Sequence, residues 1–578
     1  MRVASSQTLA LGRETDRVEA TLNQWASGRV IARLWDHDAS LWTHAPATQE
    51  AIRRRLGWLS IPRVMAQQTP ALRAFAQDVR RAQLTHALVL GMGGSSLFAE
   101  VCRNIFGVAP DHVDLSVLDT TDPTAIRSHQ QRCQLERLCV IVSSKSGTTS
   151  EVEALSTYFY EAFRSAGGDP GSHCLAITDA GTPLEERAQA LNFRRTFLHG
   201  PDSGMEVGGR FSALTYFGLV PAALLGVDLD RLLARATAML EACRSTPTQG
   251  DNPAAELAAV LGSLGQSGRD KVVLAASPAL EGFGTWVEQL IAESLGKSGT
   301  GLVPIIGESP QPASRPHRDA VCVELQLASE PDAATEQHVQ ALEASGVPIV
   351  RIRWRDRYDL GGEIVKWEVA TALTAHVMGV NAFDEPNVQE SKDRTKAILS
   401  AYAQSGRLDR EEPLVREEGI ELFGGPPPGS GGGLKETLAG LFKQRRPQDY
   451  CAILSFLPRT EALDAAARAL RQRLGQALAA STMLGFGPRY LHSTGQLYKG
   501  GADGGIFLLL TAEEGRDLDV PGEPYTFGVL KAAQALGDFQ AMRQRRRRML
   551  RIHLGPDPER GMQRLLDALE EVRRRGVA

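Results

Sequence analysis

Four short apolar runs, each followed by a stretch of helical periodicity, constrain this chain more than any other feature. They are residues 87–90, 113–118, 138–142 and 174–178, rich in Val, Leu and Ile. Each is of strand length, and the segments between them are of helix length. Strands that alternate with helices and lack a regular polar face belong to a parallel sheet covered on both sides. In an open sheet of that kind ligands lie beyond the carboxyl ends of the strands. Function is therefore expected in the loops that follow the runs.

Two of those loops are unusual. After residues 138–142 come Ser143, Ser144, Lys145, Ser146, Gly147, Thr148, Thr149 and Ser150, and a helix is predicted over 152–163. The first amides of a helix have no internal partner, and the helix dipole is positive there. Hydroxyls, free amides and a lysine at such a point make a receptor for a small anion, most simply phosphate. One or two hydroxyls would only cap the helix, but this run is denser. After residues 87–90 come Gly91, Met92, Gly93, Gly94, Ser95 and Ser96, ahead of a helix from Leu97. A dinucleotide fingerprint would need a third glycine where Ser96 stands. Close backbone approach to a smaller phosphate ester, or a plain tight turn, fits as well. Gly208, Gly209 and Arg210 make a third loop, which presents a cation ahead of an apolar helix over 213–225. Alone, that motif is no more than a turn.

The strand–helix pattern recurs. Strands are predicted at 271–276, 320–327 and 347–352, and helices at 283–296, 332–344 and 363–380. In the first of these helices Gln289 and Glu293 are four apart and share a face. A carboxylate on so apolar a turn is either paired structurally or kept for proton transfer. Asn381, Phe383, Asp384 and Pro386 then turn into a helix that carries Lys392, by itself an ordinary solvated lysine. From 406 to 449 the chain becomes acidic and then Gly- and Pro-rich, as a linker or exposed loop does. A last α/β segment has strands at 450–457 and 505–510 and helices at 460–479 and 527–551, with His492, Ser493, Thr494, Gly495 and Gln496 between the middle two. Arg543, Arg545, Arg546, Arg547 and Arg548 are expected to be the solvated end of the last helix, where cations suit the dipole, rather than a nucleic-acid site.

At 578 residues the chain exceeds a single core, and about three domains are expected. The boundaries read as 1–250 for N-terminal helices plus a first α/β domain, 251–405 for a second, 406–449 for the linker and 450–578 for a C-terminal α/β domain. Trp25, Trp35, Trp42 and Trp58 are packing anchors for the first helices. A net charge of -4 gives no general case for nucleic acid or a membrane surface. No apolar run reaches the ~18 residues of a membrane span, and the first residues do not read as a signal peptide. Seven cysteines without CxxC spacing suggest reduced thiols in a cytoplasm.

Taken together these segments resemble the phosphoglucose isomerases, members of the sugar-isomerase (SIS) fold group. The 91–96 turn looks like that family's first glycine loop, and Ser144-Lys145-Ser146-Gly147-Thr148-Thr149 like its phosphate loop. Val207-Gly208-Gly209-Arg210-Phe211-Ser212 is close to a family signature. Gln289, Glu293, Ser294, Gly296 and Lys297 match the catalytic-base helix, and Asn381, Phe383 and Asp384 leading to Lys392 match the lysine segment. The motifs follow the family's order over residues 87–392.

The resemblance implies an α/β fold of two doubly wound parallel-sheet SIS-type domains plus the C-terminal α/β segment. It implies reversible isomerisation of glucose 6-phosphate and fructose 6-phosphate through a cis-enediol, with no metal and no other cofactor. Glu293 would move the proton, Arg210 would stabilise the enediolate oxygen, and Gln289 would orient base or substrate. His492 and Lys392 would open the sugar ring. Gly94, Ser95, Ser144, Lys145, Ser146, Thr148 and Thr149 would hold the phosphate. One departure concerns the histidine. Only His317 follows the base helix, without the expected neighbours, whereas the His492 segment is similar to that of bacterial isomerases and of the isomerase half of fused transaldolase–phosphoglucose isomerase proteins. His492 is preferred over His317. A transaldolase barrel would need roughly 250 residues, and none is expected ahead of Ala87. A homodimer is implied, with the histidine acting within a chain or across the interface. Two rival readings are a non-catalytic sugar-phosphate sensor and an isomerase that also accepts mannose 6-phosphate. The joint presence of Arg210, Glu293 and Lys392 counts against the sensor.

Overall fold

The computed structural model describes residues 5–200, 206–246, 252–308, 318–409, 411–425 and 432–575. In chain order the strands are β1 (Ser6–Ala10), β2 (His86–Leu90), β3 (Asp114–Leu118), β4 (Leu138–Ser143), β5 (Cys174–Asp179), β6 (Arg195–His199), β7 (Lys271–Ala276), β8 (Val303–Ile306), β9 (Ala320–Leu327), β10 (Ile349–Trp354), β11 (Val415–Glu417), β12 (Ile420–Phe423), β13 (Tyr450–Ser455), β14 (Thr482–Phe486), β15 (Gly505–Thr511) and β16 (Arg548–His553). They form three sheets, in the orders β3-β2-β4-β5-β6, β1-β10-β9-β7-β8 and β11-β12-β16-β15-β13-β14. The first is parallel throughout. In the second only β1 runs antiparallel, against β10. In the third, the β11–β12 hairpin joins antiparallel to β16 and the remaining pairs are parallel.

The strand order explains where a ligand can sit. In the first sheet the chain leaves β2 for β3 on one side and returns to β4 on the other. The loops after β2 and β4 therefore diverge and leave a crevice between them. Those loops are 91–96 and the Ser/Thr run from Ser144. All six residues of β4 are buried, as a central strand with helices on both faces requires.

Several elements differ from the sequence reading, each for a physical reason. Residues 6–10, grouped above with the first domain, form β1 on the edge of the second sheet. The 406–449 linker holds the β11–β12 hairpin and a helix, Leu434–Phe442, that packs into the third domain's core. The helix expected over 527–551 stops at Gln544, Arg548 to His553 form β16 rather than its continuation, and a further helix, Pro558–Arg574, follows. Of the basic run, Arg543, Arg545 and Arg546 are exposed as expected, whereas Arg548 pairs with buried Asp449 and Arg547 caps the carbonyls of Lys499 and Gly501; beyond the run, Arg551 stacks on Phe423 at 3.5 Å. Edge strands β6, β8 and β14 were not anticipated; β8 contains Pro304, which only an edge strand tolerates. Trp25, Trp42 and Trp58 are buried anchors as expected, and Trp58 stacks on Phe211, the neighbour of Arg210, at 5.2 Å. Among the described residues no helix is long and apolar enough to cross a membrane.

Candidate active site

Two glycine loops meet backbone to backbone. A Cβ on Gly94 would lie 1.9 Å from the Gly209 carbonyl oxygen, so only glycine permits the contact. Gly93 has φ +54, and a Cβ there would lie 2.6 Å from the His492 carbonyl oxygen and 2.8 Å from Gln289 Nε2. The glycines of 91–96 thus let three segments close on one another, which is not what a dinucleotide loop does.

The helix Glu281–Leu295 follows β7 and presents Gln289 and Glu293 on one buried face. Gln289 Nε2 donates to Glu293 Oε2 at 3.0 Å and to the His492 carbonyl at 2.9 Å. Its own amide oxygen is buried and has no partner. Arg210, 2% exposed, lies 3.2 Å from Glu293 through Nη1. Burial raises the proton affinity of Glu293, Arg210 opposes that, and the nearby Glu385 adds to it; the net shift is upward. Of the two alternatives left open by spacing the structure shows the pairing, and burial shifts the same carboxyl upward.

Arg210 is fixed from every side. Nε donates to Ser294 Oγ at 2.8 Å, and Nη2 donates to the carbonyls of Ala382 at 2.5 Å and Asp384 at 3.0 Å. Nη1 donates to Glu385 Oε2 at 3.1 Å. Lys297 braces the same loop, donating to the Asn381 carbonyl at 2.8 Å and Asp384 Oδ1 at 2.9 Å. Burial, with Arg210 nearby, lowers Lys297 to about 8.

His492 reaches this cluster from the third domain. Its Nε2 lies 2.8 Å from Glu151 Oε1, and Gln534 Nε2 donates to the same oxygen at 2.8 Å. Burial alone would raise Glu151, but the His492 ring and the Lys392 charge help bring it down to about 2. Glu151 is therefore ionised, His492 Nε2 must carry the proton facing it, and Nδ1 is left as the free nitrogen. Gln496 ties the histidine segment to the second domain, accepting from the Asn387 amide at 2.9 Å and donating to the Gly296 carbonyl at 2.9 Å. Lys392 stands on the second turn of helix Val388–Ser405 with its side chain exposed. The preceding Ser391 donates to Asp538 Oδ1 at 3.0 Å, a carboxylate that also accepts from Tyr490 and Lys499. His317 lies outside the described residues.

The Ser/Thr loop is looser. Ser144 Oγ is 3.0 Å from Thr149 Oγ1 and accepts from the Gly147 amide at 3.2 Å. Ser146 and Thr148 bond to each other at 3.1 Å and are exposed. Thr149 is the N-cap of helix Ser150–Ser165, yet no side chain caps that helix. Ser143 Oγ donates to the Ser95 carbonyl at 2.7 Å, which joins this loop to the Gly94–Ser95 turn. Lys145 Nζ pairs with Asp179 at 2.6 Å and Glu206 at 3.3 Å. From there a line of alternating charge runs through Arg55 (3.9 Å from Glu206) and Glu385 (3.5 Å from Arg55) to Arg210 and Glu293.

The structure thus brings Glu293, Gln289, Arg210 and His492 into contact, with the anion loop at one side. Sequence reasoning missed Glu151, Gln534, Glu385, Arg55 and Glu206, and named Lys297 only as part of the base-helix motif. Only Glu151 gave a signal, as a carboxylate that closes the Ser/Thr run.

A family model for phosphoglucose isomerase matches residues 60–303. A glucose-6-phosphate isomerase of Geobacter sp. is 30% identical over 398 residues, covering 61% of this chain and 74% of its own length. A probable glucose-6-phosphate isomerase of Haloarcula marismortui is 30% identical over 365 residues, 57% of this chain and 81% of its own. The solved structure of a glucose-6-phosphate isomerase from Chlamydia trachomatis superposes with a TM-score of 0.58 at 19% identity, covering 69% of this chain and 89% of that one, and so shares the fold.

Proposed function

The chain belongs to the phosphoglucose isomerase family, and on that premise we propose that it interconverts glucose 6-phosphate and fructose 6-phosphate through a cis-enediol. The observation that carries this reading is the convergence, within one chain, of a buried carboxylate, a fixed guanidinium and a histidine from three separate domains.

Glu293 takes the proton from one of the two reacting carbons and returns it to the other. Its raised proton affinity suits that exchange near neutral pH. Negative charge grows on the adjacent oxygen, and Arg210 Nη1 is the preorganised donor beside it. The unpartnered amide oxygen of Gln289 accepts a substrate hydroxyl. His492, held by Glu151, exchanges a proton through Nδ1 during ring opening, and Lys392, on helix Val388–Ser405 and with its charge felt at Glu151, assists. The uncapped helix start with Ser144, Lys145, Ser146, Thr148 and Thr149, beside Gly94 and Ser95, takes the phosphate and keeps the carbon chain in register.

The resemblance to the family further implies a homodimer. Contact of His492 with Glu151 and Gln289 of its own chain supports a histidine supplied within each subunit. Activity per chain should therefore survive dilution below the dimer's dissociation constant. The likeness of the His492 segment to the isomerase half of fused transaldolase–phosphoglucose isomerase proteins belongs to the same reading, as does a cytoplasmic location, supported by seven unpaired cysteines. The test is direct: supply fructose 6-phosphate and follow glucose 6-phosphate with a coupled dehydrogenase. Binding without turnover would favour a sugar-phosphate sensor.

A further inference from the structure

Arg210 uses its three nitrogens differently. Nε and Nη2 donate to a buried hydroxyl and to two backbone carbonyls, partners that cannot leave without rebuilding the loop. Nη1 alone faces side-chain carboxylates, Glu293 at 3.2 Å and Glu385 at 3.1 Å. Nη1 has two N–H groups; one donates to Glu385, and Glu293 Oε1 is ion-paired with the same nitrogen at 3.2 Å. An enediolate oxygen needs one of them.

We propose that Glu385 is a resident carboxylate that holds the place of the substrate's developing oxyanion on Arg210, and that Arg55 receives it when the substrate arrives. The inference rests on the isomerase reading above. Glu293 cannot be the group displaced outward, because its side chain is 12% exposed and belongs to the reaction. Glu385 enters from the open side, with its side chain 37% exposed. A second cation is already in place: Arg55 Nη1 lies 3.5 Å from the same Oε2 atom. Arg55 is anchored by the Phe383 carbonyl, and the residue before Glu385, Asp384, is braced by Lys297 and Arg210. Only the Glu385 side chain has to move, exchanging one guanidinium for another. Lys145 and Glu206, further along the same line of charge, keep their own pairing.

The arrangement discriminates. A neutral sugar hydroxyl cannot displace a carboxylate from a guanidinium, whereas an oxygen acquiring full charge can. Arg210 is thereby withheld from the ground state and offered as the charge develops, which is the condition for binding energy to accelerate a reaction.

The experiment compares wild type, Glu385→Gln, Arg55→Gln and the double variant. The probes are a five-carbon aldonohydroxamate 5-phosphate, whose adjacent oxygens imitate the enediolate, and inorganic phosphate as a control for the anion loop. Glu385→Gln should bind the hydroxamate about tenfold more tightly with phosphate affinity unchanged, and Glu385→Ala should act in the same direction. Arg55→Gln should weaken hydroxamate binding about threefold, and that loss should vanish when Glu385 is already Gln. Equal or weaker hydroxamate binding by Glu385→Gln, or an Arg55 effect independent of Glu385, overturns the proposal. Wild-type protein that neither turns over fructose 6-phosphate nor binds the hydroxamate would instead overturn the isomerase reading.

Discussion

The proposed anion loop and the proposed proton-transfer cluster are built on opposite plans. In the loop, hydroxyls bond mostly to one another, Ser146 and Thr148 face solvent, and the helix start is left uncapped. In the cluster, Arg210 and Glu293 are buried, pair with each other across two domains, and are held by Ser294, the Ala382 carbonyl and Gln289. The contrast teaches a division of labour. A handle must bind and release a hydrated dianion, so its groups are kept cheap to reorganise. Groups that act on a reacting carbon must already be in position, so their geometry is over-determined. Damage to the first should cost affinity, and damage to the second should cost rate.

That contrast is breakable. Glu293→Gln should lower kcat by about a thousandfold with little change in KM; a variant that keeps near wild-type turnover would remove the cluster from the chemistry. His492→Ala should lower turnover of closed-ring substrate by about a hundredfold and affect open-chain substrate less, while His317→Ala should do neither. The reverse outcome would move ring opening away from the third domain. Ser146→Ala combined with Thr148→Ala should raise KM about tenfold and leave kcat within a few-fold; a matching loss of kcat would show that the handle positions the reacting carbons as strictly as the cluster does. The smallest effect is on pH. Because burial raises Glu293, the base stays protonated to higher pH than an ordinary glutamate. The acid limb of kcat/KM should therefore fall off at a pH above the ordinary glutamate range, and Glu385→Gln, which removes a like charge, should move that limb down.

The same contrast decided how much was legible in the sequence. The handle is contiguous, so its hydroxyls, its lysine and its place between a strand and a helix could be read from one stretch. Strands buried on both faces, such as β4, were equally plain. The cluster joins residues as far apart as Arg210 and His492, and local patterning gives no sign that Gln289 meets the His492 carbonyl; only motif resemblance did so. Glu385 and Arg55 lie 330 positions apart, and nothing in either local stretch points to the other. Elements were missed where tertiary partners override composition. Arg548 reads as solvent-facing until Asp449 covers it. The hairpin at 415–423 hid in an acidic, glycine-rich setting because its pairing partner, β16, lies far downstream.

One edge strand carries a consequence for how the molecule is made. Strand β1 is synthesised before the whole of the first α/β domain, yet its partner β10 is not made until residues 349–354. The order of synthesis and the order of assembly are therefore inverted, and the nascent chain must carry an unpaired strand while the whole first domain is translated. When β10 arrives, β1 closes a row of backbone amides and carbonyls that would otherwise invite pairing with another chain. The first residues act as a clasp across two domains. A fragment beginning at residue 251 would lack it, so the second domain is a unit of architecture without being a unit that can be cut out by sequence.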